Sequence, residues 1–404
     1  MRIMIVTDQY PPMVGGVPNV AHGLAVDFTN RGHQVWVVAP SYGTRDIQRT
    51  EEGVHVSRFS SFEWPTYKDL RIPLLPFGPI HKLLKQSDPD VIHVHSPIVL
   101  GNIAHILAPG LHKPLIATNH YLPSNMLSRS ILTDPVLGKP LSALIYSYLV
   151  YFYNRCDYVT SPTQTALDLL SDHGLHAPSK VISNGIDLTR YTPGPADAEL
   201  IRRLGLPEDR PLIIHVNRLS EEKRIDVLLD AMAGLRTPAH LILTSTGPAE
   251  AALRAQVERL NIQDRVSFLG FVRNEDLIPL RRSVQLFVIP SEADLQSLAM
   301  MEAMACGLPV VAANSYALPE LVHHNQNGFL FEPGNSDEMA AYMDRILQDH
   351  NLQQSMGSES LNIIAAHDKD NVLDQWEELY TRLATEFAET QRMRQRAHAP
   401  SIAP

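Results

Sequence analysis

Short apolar runs, many rich in β-branched residues, recur along most of the chain, separated by longer mixed stretches. Residues 3–6, 34–39, 90–95, 114–118 and 181–183 carry them in the first half. Residues 211–216, 241–244, 266–272, 284–289 and 310–313 carry them in the second. Runs of this length read as buried strands. Between them, helices are expected over 19–30, 197–204, 225–232, 298–306 and 376–389. In 141–153, Leu141, Leu144, Ile145, Tyr148 and Phe152 follow helical spacing, and a core-facing helix is expected there. Alternating strands and helices in both halves imply two doubly wound α/β domains.

The unit from 284 to 313 is the most informative. A strand is followed by the polar loop Pro290-Ser291-Glu292-Ala293-Asp294-Leu295-Gln296-Ser297, then by a helix rich in Ala, Met and Leu. Gly307 and Pro309 stop that helix before the next strand. Ligands of such units sit beyond the strand's carboxyl end, where helix N–H groups favour anions. Asp294 and Glu302 flank this point, and carboxylates accept hydrogen bonds from the hydroxyls of a sugar or ribose. The plainer alternative is that Asp294 caps the helix and Glu302 is solvated.

Other strand ends carry chemistry of the same kind. Arg218 and Lys223 lie between strand 211–216 and helix 225–232, where a diphosphate would meet a planar fork and a point charge. Their plainer role is pairing with Glu221 and Glu222. Thr7 to Val17 ends in Gly15-Gly16, which suits either a tight turn or close ligand approach. His95-Ser96 and Asn119-His120-Tyr121 sit at strand carboxyl ends, although single histidines are more often structural. Asn184-Gly185-Ile186-Asp187 reads as a turn closing the first domain.

A chain of 404 residues has room for two cores. Net charge of −10 argues against nucleic acid as a partner. Cys156 and Cys306 lack metal-site spacing and suit a reducing compartment. The chain opens on a strand without a charged leader, and no apolar run reaches the roughly 20 residues of a membrane span. A cytoplasmic protein is expected, with peripheral attachment to the inner face of the cell membrane as an option. In 64–86, Tyr67, Leu74, Leu75, Phe77 and Ile80 alternate with Lys68, Arg71, Lys82 and Lys85. That stretch fits an anionic membrane surface as well as a domain core.

The run Glu302-Ala303-Met304-Ala305-Cys306-Gly307-Leu308-Pro309-Val310-Val311, with Asp294 ahead of it, resembles the signature of the family 4 retaining glycosyltransferases. In that family two acids separated by seven residues touch the transferred sugar and hold the nucleotide ribose. Position 294 is Asp where the family has Glu, and Gln296-Ser297 stand where Phe-Gly is common. The shorter side chain reaches less far, so Glu292 is a second candidate for the first acid. Asn217-Arg218 with Glu222-Lys223 resembles the motif whose Arg and Lys hold the donor diphosphate. Thr246-Gly247-Pro248 resembles the phosphate-proximal loop, and Gly15-Gly16 the loop over donor phosphates and acceptor. Phe271 and Val272 end the strand that resembles the nucleobase contact, and His120 matches a histidine facing the reaction centre.

The resemblance runs from residue 3 to about residue 380 and implies the GT-B fold, two doubly wound Rossmann-like domains facing a cleft. It implies an acceptor-binding domain over 1–192 and a nucleotide-sugar domain over 193–375. A helix over about 376–392 would pack back on the first domain, followed by a disordered tail over 393–404. The catalytic set would be His120, Arg218, Lys223 and Asp294. The donor set would be Gly15, Gly16, Arg218, Lys223, Gly247, Phe271, Val272, Gln296, Ser297, Leu298 and Glu302. Asp8, Val17, Asn119 and His120 would lie on the acceptor side. No metal or other cofactor is expected in the site.

The expected activity is retaining transfer of a hexose from a nucleotide sugar, UDP-glucose, to a membrane lipid. The segment Thr118-Asn119-His120-Tyr121-Leu122-Pro123-Ser124-Asn125, together with Asp294-Leu295-Gln296-Ser297-Leu298, is most similar to bacterial enzymes that glucosylate diacylglycerol. The alternatives are a GDP-mannose-dependent mannosyltransferase acting on phosphatidylinositol or a polyprenyl acceptor, and a catalytically silent nucleotide-sugar binder. A nucleotide-sugar epimerase is disfavoured, because no Gly-x-Gly-x-x-Gly follows the first strand and no Tyr-x-x-x-Lys pair stands in the expected place.

Overall fold

A computed structural model describes residues 1–64, 67–127, 129–132, 134 and 136–397. The side chains of Tyr67, Lys68 and Asn125 lie outside the described residues, as do residues 398–404 of the expected tail. The chain folds into two compact units. The first comprises Met1–His120, Ala143–Ser183 and the chain from Val372 onward; the second comprises Tyr121–Ser142 and Asn184–Asn371.

In the first unit the strands are β1 (Arg2–Val6), β2 (Gln34–Pro40), β3 (Ile47–Glu51), β4 (Val54–Phe59), β5 (Ser61–Trp64), β6 (Tyr67–Pro73), β7 (Val91–Val94), β8 (Leu115–Thr118), β9 (Tyr158–Ser161) and β10 (Ser179–Val181). Eight form one sheet in the order β10-β9-β8-β7-β1-β2-β4-β3, while β5 and β6 pair as a separate antiparallel ribbon. All pairings in the large sheet are parallel except β3 with β4. The central strands are mostly apolar and buried, with His93 on β7 and Thr118 on β8 as buried polar exceptions. The terminal helix Lys369–Ala397 delivers Val372, Leu373, Trp376, Leu379, Tyr380 and Leu383 to the core around Ile3, Ile5 and Phe28. Burying each such large side chain stabilises by about 1.5–3 kcal/mol. That helix continues through 393–397, where a tail was expected.

The helix Gly138–Tyr153 turns inward a face that keeps Phe152 of the expected stripe but not Leu144 or Tyr148. Tyr146, Leu149, Val150, Phe152 and Tyr153 are buried, whereas Leu144, Tyr148 and Tyr151 are exposed. Aromatic and aliphatic residues occur all round this helix, so periodicity alone chooses the wrong stripe. In 64–86, Leu74, Leu75 and Phe77 are exposed, and Ile80 lies on the buried face of the helix Phe77–Ser87.

The second unit holds β11 (Leu212–Val216), β12 (His240–Thr244), β13 (Val266–Gly270), β14 (Leu286–Ile289), β15 (Val310–Ala313) and β16 (Gly328–Phe331). Their order is β13-β12-β11-β14-β15-β16, all parallel. This is the doubly wound order 3-2-1-4-5-6, with its reversal between β11 and β14. The unit begins at Asn184 rather than 193, so Asn184–Asp187 opens the second unit instead of closing the first. Ile186 exchanges backbone hydrogen bonds with His367 and Lys369, and Lys369 Nζ donates to Asp187 at 3.1 Å, which ties the segment to this unit.

Candidate active site

At the reversal in the second unit, two loops leave adjacent strands. From β11 the chain runs through Asn217–Ser220 into one tight turn, Glu221–Lys223, and Arg224 adopts φ 50° before the helix Ile225–Gly234. From β14 it runs to Ser297, whose hydroxyl accepts the Met300 N–H and caps the helix Leu298–Ala305. Leu308 N–H bonds Ala303 O and Gly307 N–H bonds Met304 O at its far end, with Gly307 at φ 82°. That is the Schellman closure only glycine takes without strain.

The two loops are held together by ion pairs. Lys223 Nζ donates to Asp294 Oδ1 at 3.0 Å and Oδ2 at 3.1 Å. Arg224 pairs with Glu292 and, at 3.1 Å, with Asp226. Asp294 is therefore the acid set against the expected phosphate-binding lysine, and Glu292 has an arginine of its own. Lys223 is not drawn to Glu221 or Glu222; Glu222 instead accepts the Ser220 hydroxyl at 2.5 Å. Arg218 is half-buried in the same loop, where its N–H bonds Asn217 Oδ1 at 3.0 Å.

The remaining donor candidates of this unit surround that point or lie along its strand ends. Gly247 passes so close to the Leu219 backbone that any Cβ would collide with it. Leu219 N–H to Thr246 O (3.1 Å) and Ala249 N–H to Leu219 O (2.9 Å) lace the two loops together. Gln296 Oε1 accepts the Asn184 N–H at 2.8 Å, and Leu298 is half-buried in the first helical turn. Glu302 is paired with the buried Arg281. Past the end of β13, Phe271 is 67% exposed while Val272 is buried. Beneath the loops, His215 Nδ1 donates to Val288 O at 2.8 Å, and burial holds its imidazole neutral, down at about 4.

The first unit has its own reversal, between β1 and β7. Asp8 follows β1, and its carboxylate is buried, accepting from Ser96 Oγ (2.9 Å), Leu100 N–H (2.9 Å) and Val99 N–H (3.2 Å). It anchors the helix Val99–Leu111, whose own N-cap Ile98 has no capping side chain, rather than offering itself to an acceptor. Burial pushes its carboxyl up to about 6 against those bonds. Gly15 precedes and Gly16 begins the helix Gly16–Asn30, and a Cβ on Gly16 would meet nothing. Val17 is half-buried beside it. Asn119 is buried and accepts the Tyr153 hydroxyl at 3.1 Å. His120 Nε2 lies 3.0 Å from His95 Nδ1, and burial lowers its imidazole to about 4. His93, under His95, bonds Tyr380 and Thr118 at 2.6 Å each.

Sequence reasoning missed Arg224, Arg281 and His95 as neighbours of the candidate acids and histidine. Arg224 directly follows Lys223, and His95 was visible at a strand end. Nothing local connects Arg281 to Glu302.

Two doubly wound units, with paired cations and carboxylates at the reversal of the second, are the architecture of a GT-B glycosyltransferase. Sucrose-phosphate synthase from Thermosynechococcus elongatus superposes with a TM-score of 0.81 at 20% identity, over 96% of this chain and all of that one. Anabaena HepE in complex with UDP and glucose does so with a TM-score of 0.77 at 24% identity, over 95% of this chain and all of that one. The sequence model of Glycosyltransferase Family 4 matches residues 14–190, and that of glycosyl transferases group 1 matches residues 197–362. The chain belongs to the family 4 type of glycosyltransferases and is a hexosyltransferase. It is 27% identical to the alpha-monoglucosyldiacylglycerol synthase of Streptococcus pneumoniae, over 91% of this chain and 83% of that protein. It is 28% identical to a GDP-mannose-dependent alpha-mannosyltransferase of Corynebacterium glutamicum, over 98% and 91%. Among the described residues, no helix is long and apolar enough to cross a membrane.

Proposed function

We propose that the chain transfers glucose from UDP-glucose to a membrane lipid, diacylglycerol, with retention at the anomeric carbon. The observation that carries the reading is the Lys223–Asp294 pair at the β11/β14 reversal, with Arg218 in the same loop. A donor entering there exchanges one partner for two: its diphosphate takes Arg218 and Lys223, and its hexose hydroxyls take Asp294. Glu302 accepts the ribose hydroxyls. The bond from the anomeric carbon to the phosphate oxygen breaks, and the acceptor oxygen bonds the same face of that carbon. The acceptor's proton passes to the departing phosphate oxygen. Arg218, Lys223 and the N–H groups opening the helix Leu298–Ala305 stabilise that leaving charge, so no metal is required. His120 of the first unit, neutral at pH 7, is available as a hydrogen-bonding group rather than as a cation.

A lipid acceptor is supported by the pneumococcal relative and by exposed Leu74, Leu75 and Phe77, with exposed Lys82 and Lys85 on the helix that follows. These suit peripheral attachment at the cytoplasmic face. A second reading, mannosyl transfer from GDP-mannose, has the support of the corynebacterial relative, which aligns over 403 residues. The test is nucleotide release from a panel of UDP- and GDP-sugars, with and without diacylglycerol in mixed micelles, and the anomeric configuration of the product by NMR. Release from UDP-glucose that rises with diacylglycerol, gives an α-linked lipid and survives chelation of divalent cations is expected. Release from GDP-mannose alone would favour the second reading. Binding of a nucleotide sugar without release from any donor would contradict both.

A further inference from the structure

Arg281 is 1% exposed, a buried cation that the reaction above does not use. It sits in the last turn of the helix Asn274–Arg282, just ahead of β14. Its neighbour Arg282 turns to the Thr192 carbonyl and hydroxyl, at 2.7 Å each. Arg281 instead sends Nη2 to Oε2 of Glu302, while its Nε and Nη1 are buried without a hydrogen-bond partner among the described residues. The Tyr191 ring lies 5.8 Å from the guanidinium, and the Tyr191 hydroxyl is kept protonated by burial and by the neighbouring Glu302. Glu302 itself remains 21% exposed.

This arrangement is a poor device for stability. A buried ion pair is often no better than well-packed apolar side chains of the same volume, and unpaired buried N–H groups cost more still. It is a good device for fixing a carboxylate. A charge-assisted bond from inside the protein pins one oxygen, the Tyr191 hydroxyl bonds the same carboxylate, and the lone pairs left over can serve a ligand. Glu302 lies on the first turns of the helix Leu298–Ala305, whose start is capped by Ser297, so its backbone is already fixed.

We infer that Arg281 is a positioning residue that holds the Glu302 carboxylate to receive the two ribose hydroxyls of the donor nucleotide. The inference rests on the proposed role of Glu302 as the ribose acceptor. It makes the affinity for the ribose, as distinct from the diphosphate, depend on a residue that never touches the ligand.

The experiment is calorimetric binding of UDP and GDP, each against its 2′,3′-dideoxy counterpart, to wild type, Glu302→Gln, Arg281→Met, Arg281→Lys and the Arg281→Met/Glu302→Gln double variant. Two hydrogen bonds to a carboxylate predict a ribose preference of about tenfold or more in wild type. That ratio is expected to fall to within about twofold in Glu302→Gln and Arg281→Met, to recover partly in Arg281→Lys, and to fall no further in the double variant. A merely structural Arg281 would lower the melting temperature and weaken all ligands alike, leaving the ratio intact; that result overturns the inference. If Arg281→Met does not fold, the neutral Arg281→Gln takes its place, and a wild-type ratio in it overturns the inference equally. A ratio unchanged in Glu302→Gln, or absent from wild type, would instead remove the ribose reading of Glu302 and the inference with it.

Discussion

Lys223 and Asp294, 71 residues apart in sequence, face each other across the β11/β14 reversal, with Nζ 3.0 and 3.1 Å from the two carboxylate oxygens. Both side chains are nearly buried, at 12% and 13% exposure. Each therefore satisfies the other until something better arrives. A diphosphate gives the lysine more negative charge than one carboxylate, and a hexose gives Asp294 hydroxyl donors. Substrate binding becomes an exchange of partners rather than the filling of a vacant charge.

The pairing also separates the two candidate acids. Asp294→Asn is expected to lower kcat by about a hundredfold, within the range seen when one charge-stabilising group is lost from a site. Glu292→Gln should change it by less than about threefold, since Arg224 keeps Asp226 as a second partner. Steady-state nucleotide release checks both. If Glu292→Gln is the more damaging, the roles are reversed.

Two glycines should behave in opposite ways. Gly247→Ala drives a methyl into the Leu219 backbone and is expected to cost about 1–3 kcal/mol in thermal unfolding, with weaker nucleotide binding. Gly16→Ala meets no protein atom and lies in a helix, so it should leave stability unchanged or raise it by up to about 1 kcal/mol. A fall in turnover for Gly16→Ala at undiminished melting temperature would mark Gly16 as a place of close ligand approach.

Acid should destabilise the fold through its buried imidazoles. His215 is depressed from 6.5 to about 4 and His93 to about 3, both chiefly by burial. In the unfolded chain both take up a proton near pH 6.5. Their contribution to stability is thus complete above that pH and is lost as pH falls toward their folded values. The loss amounts to about 3 kcal/mol for His215. Asp8 works in the opposite sense. Raised from 3.8 to about 6, it favours the fold most at low pH and less as pH rises through 6. Denaturant unfolding between pH 4.5 and 8 should show net loss toward acid, with a shallower slope in His215→Gln; an unchanged slope would contradict the assignment.

Much of this was legible in the sequence. The strand at 310–313 and the stop at Gly307 emerge as read, because a fully apolar run and a glycine two residues ahead of a proline have few other uses. Partner choice was not legible. Lys223 has Glu221 and Glu222 beside it in sequence, yet strand order brings Asp294 to it. Asp8 shows the same limit: it stands at a strand end on the expected ligand side, but tertiary packing assigns it to a helix start 91 residues away. The inward stripe of Gly138–Tyr153 was misread because the helix is apolar on more than one face.

The most direct measurement is the rate of UDP release from UDP-glucose, with diacylglycerol in mixed micelles, by wild type and by Lys223→Ala at matched fold stability. A loss of about a hundredfold or more in kcat, with a smaller change in KM, is predicted if Lys223 stabilises the departing diphosphate. Turnover that survives the substitution would show that the Lys223–Asp294 pair is not where the leaving charge is held.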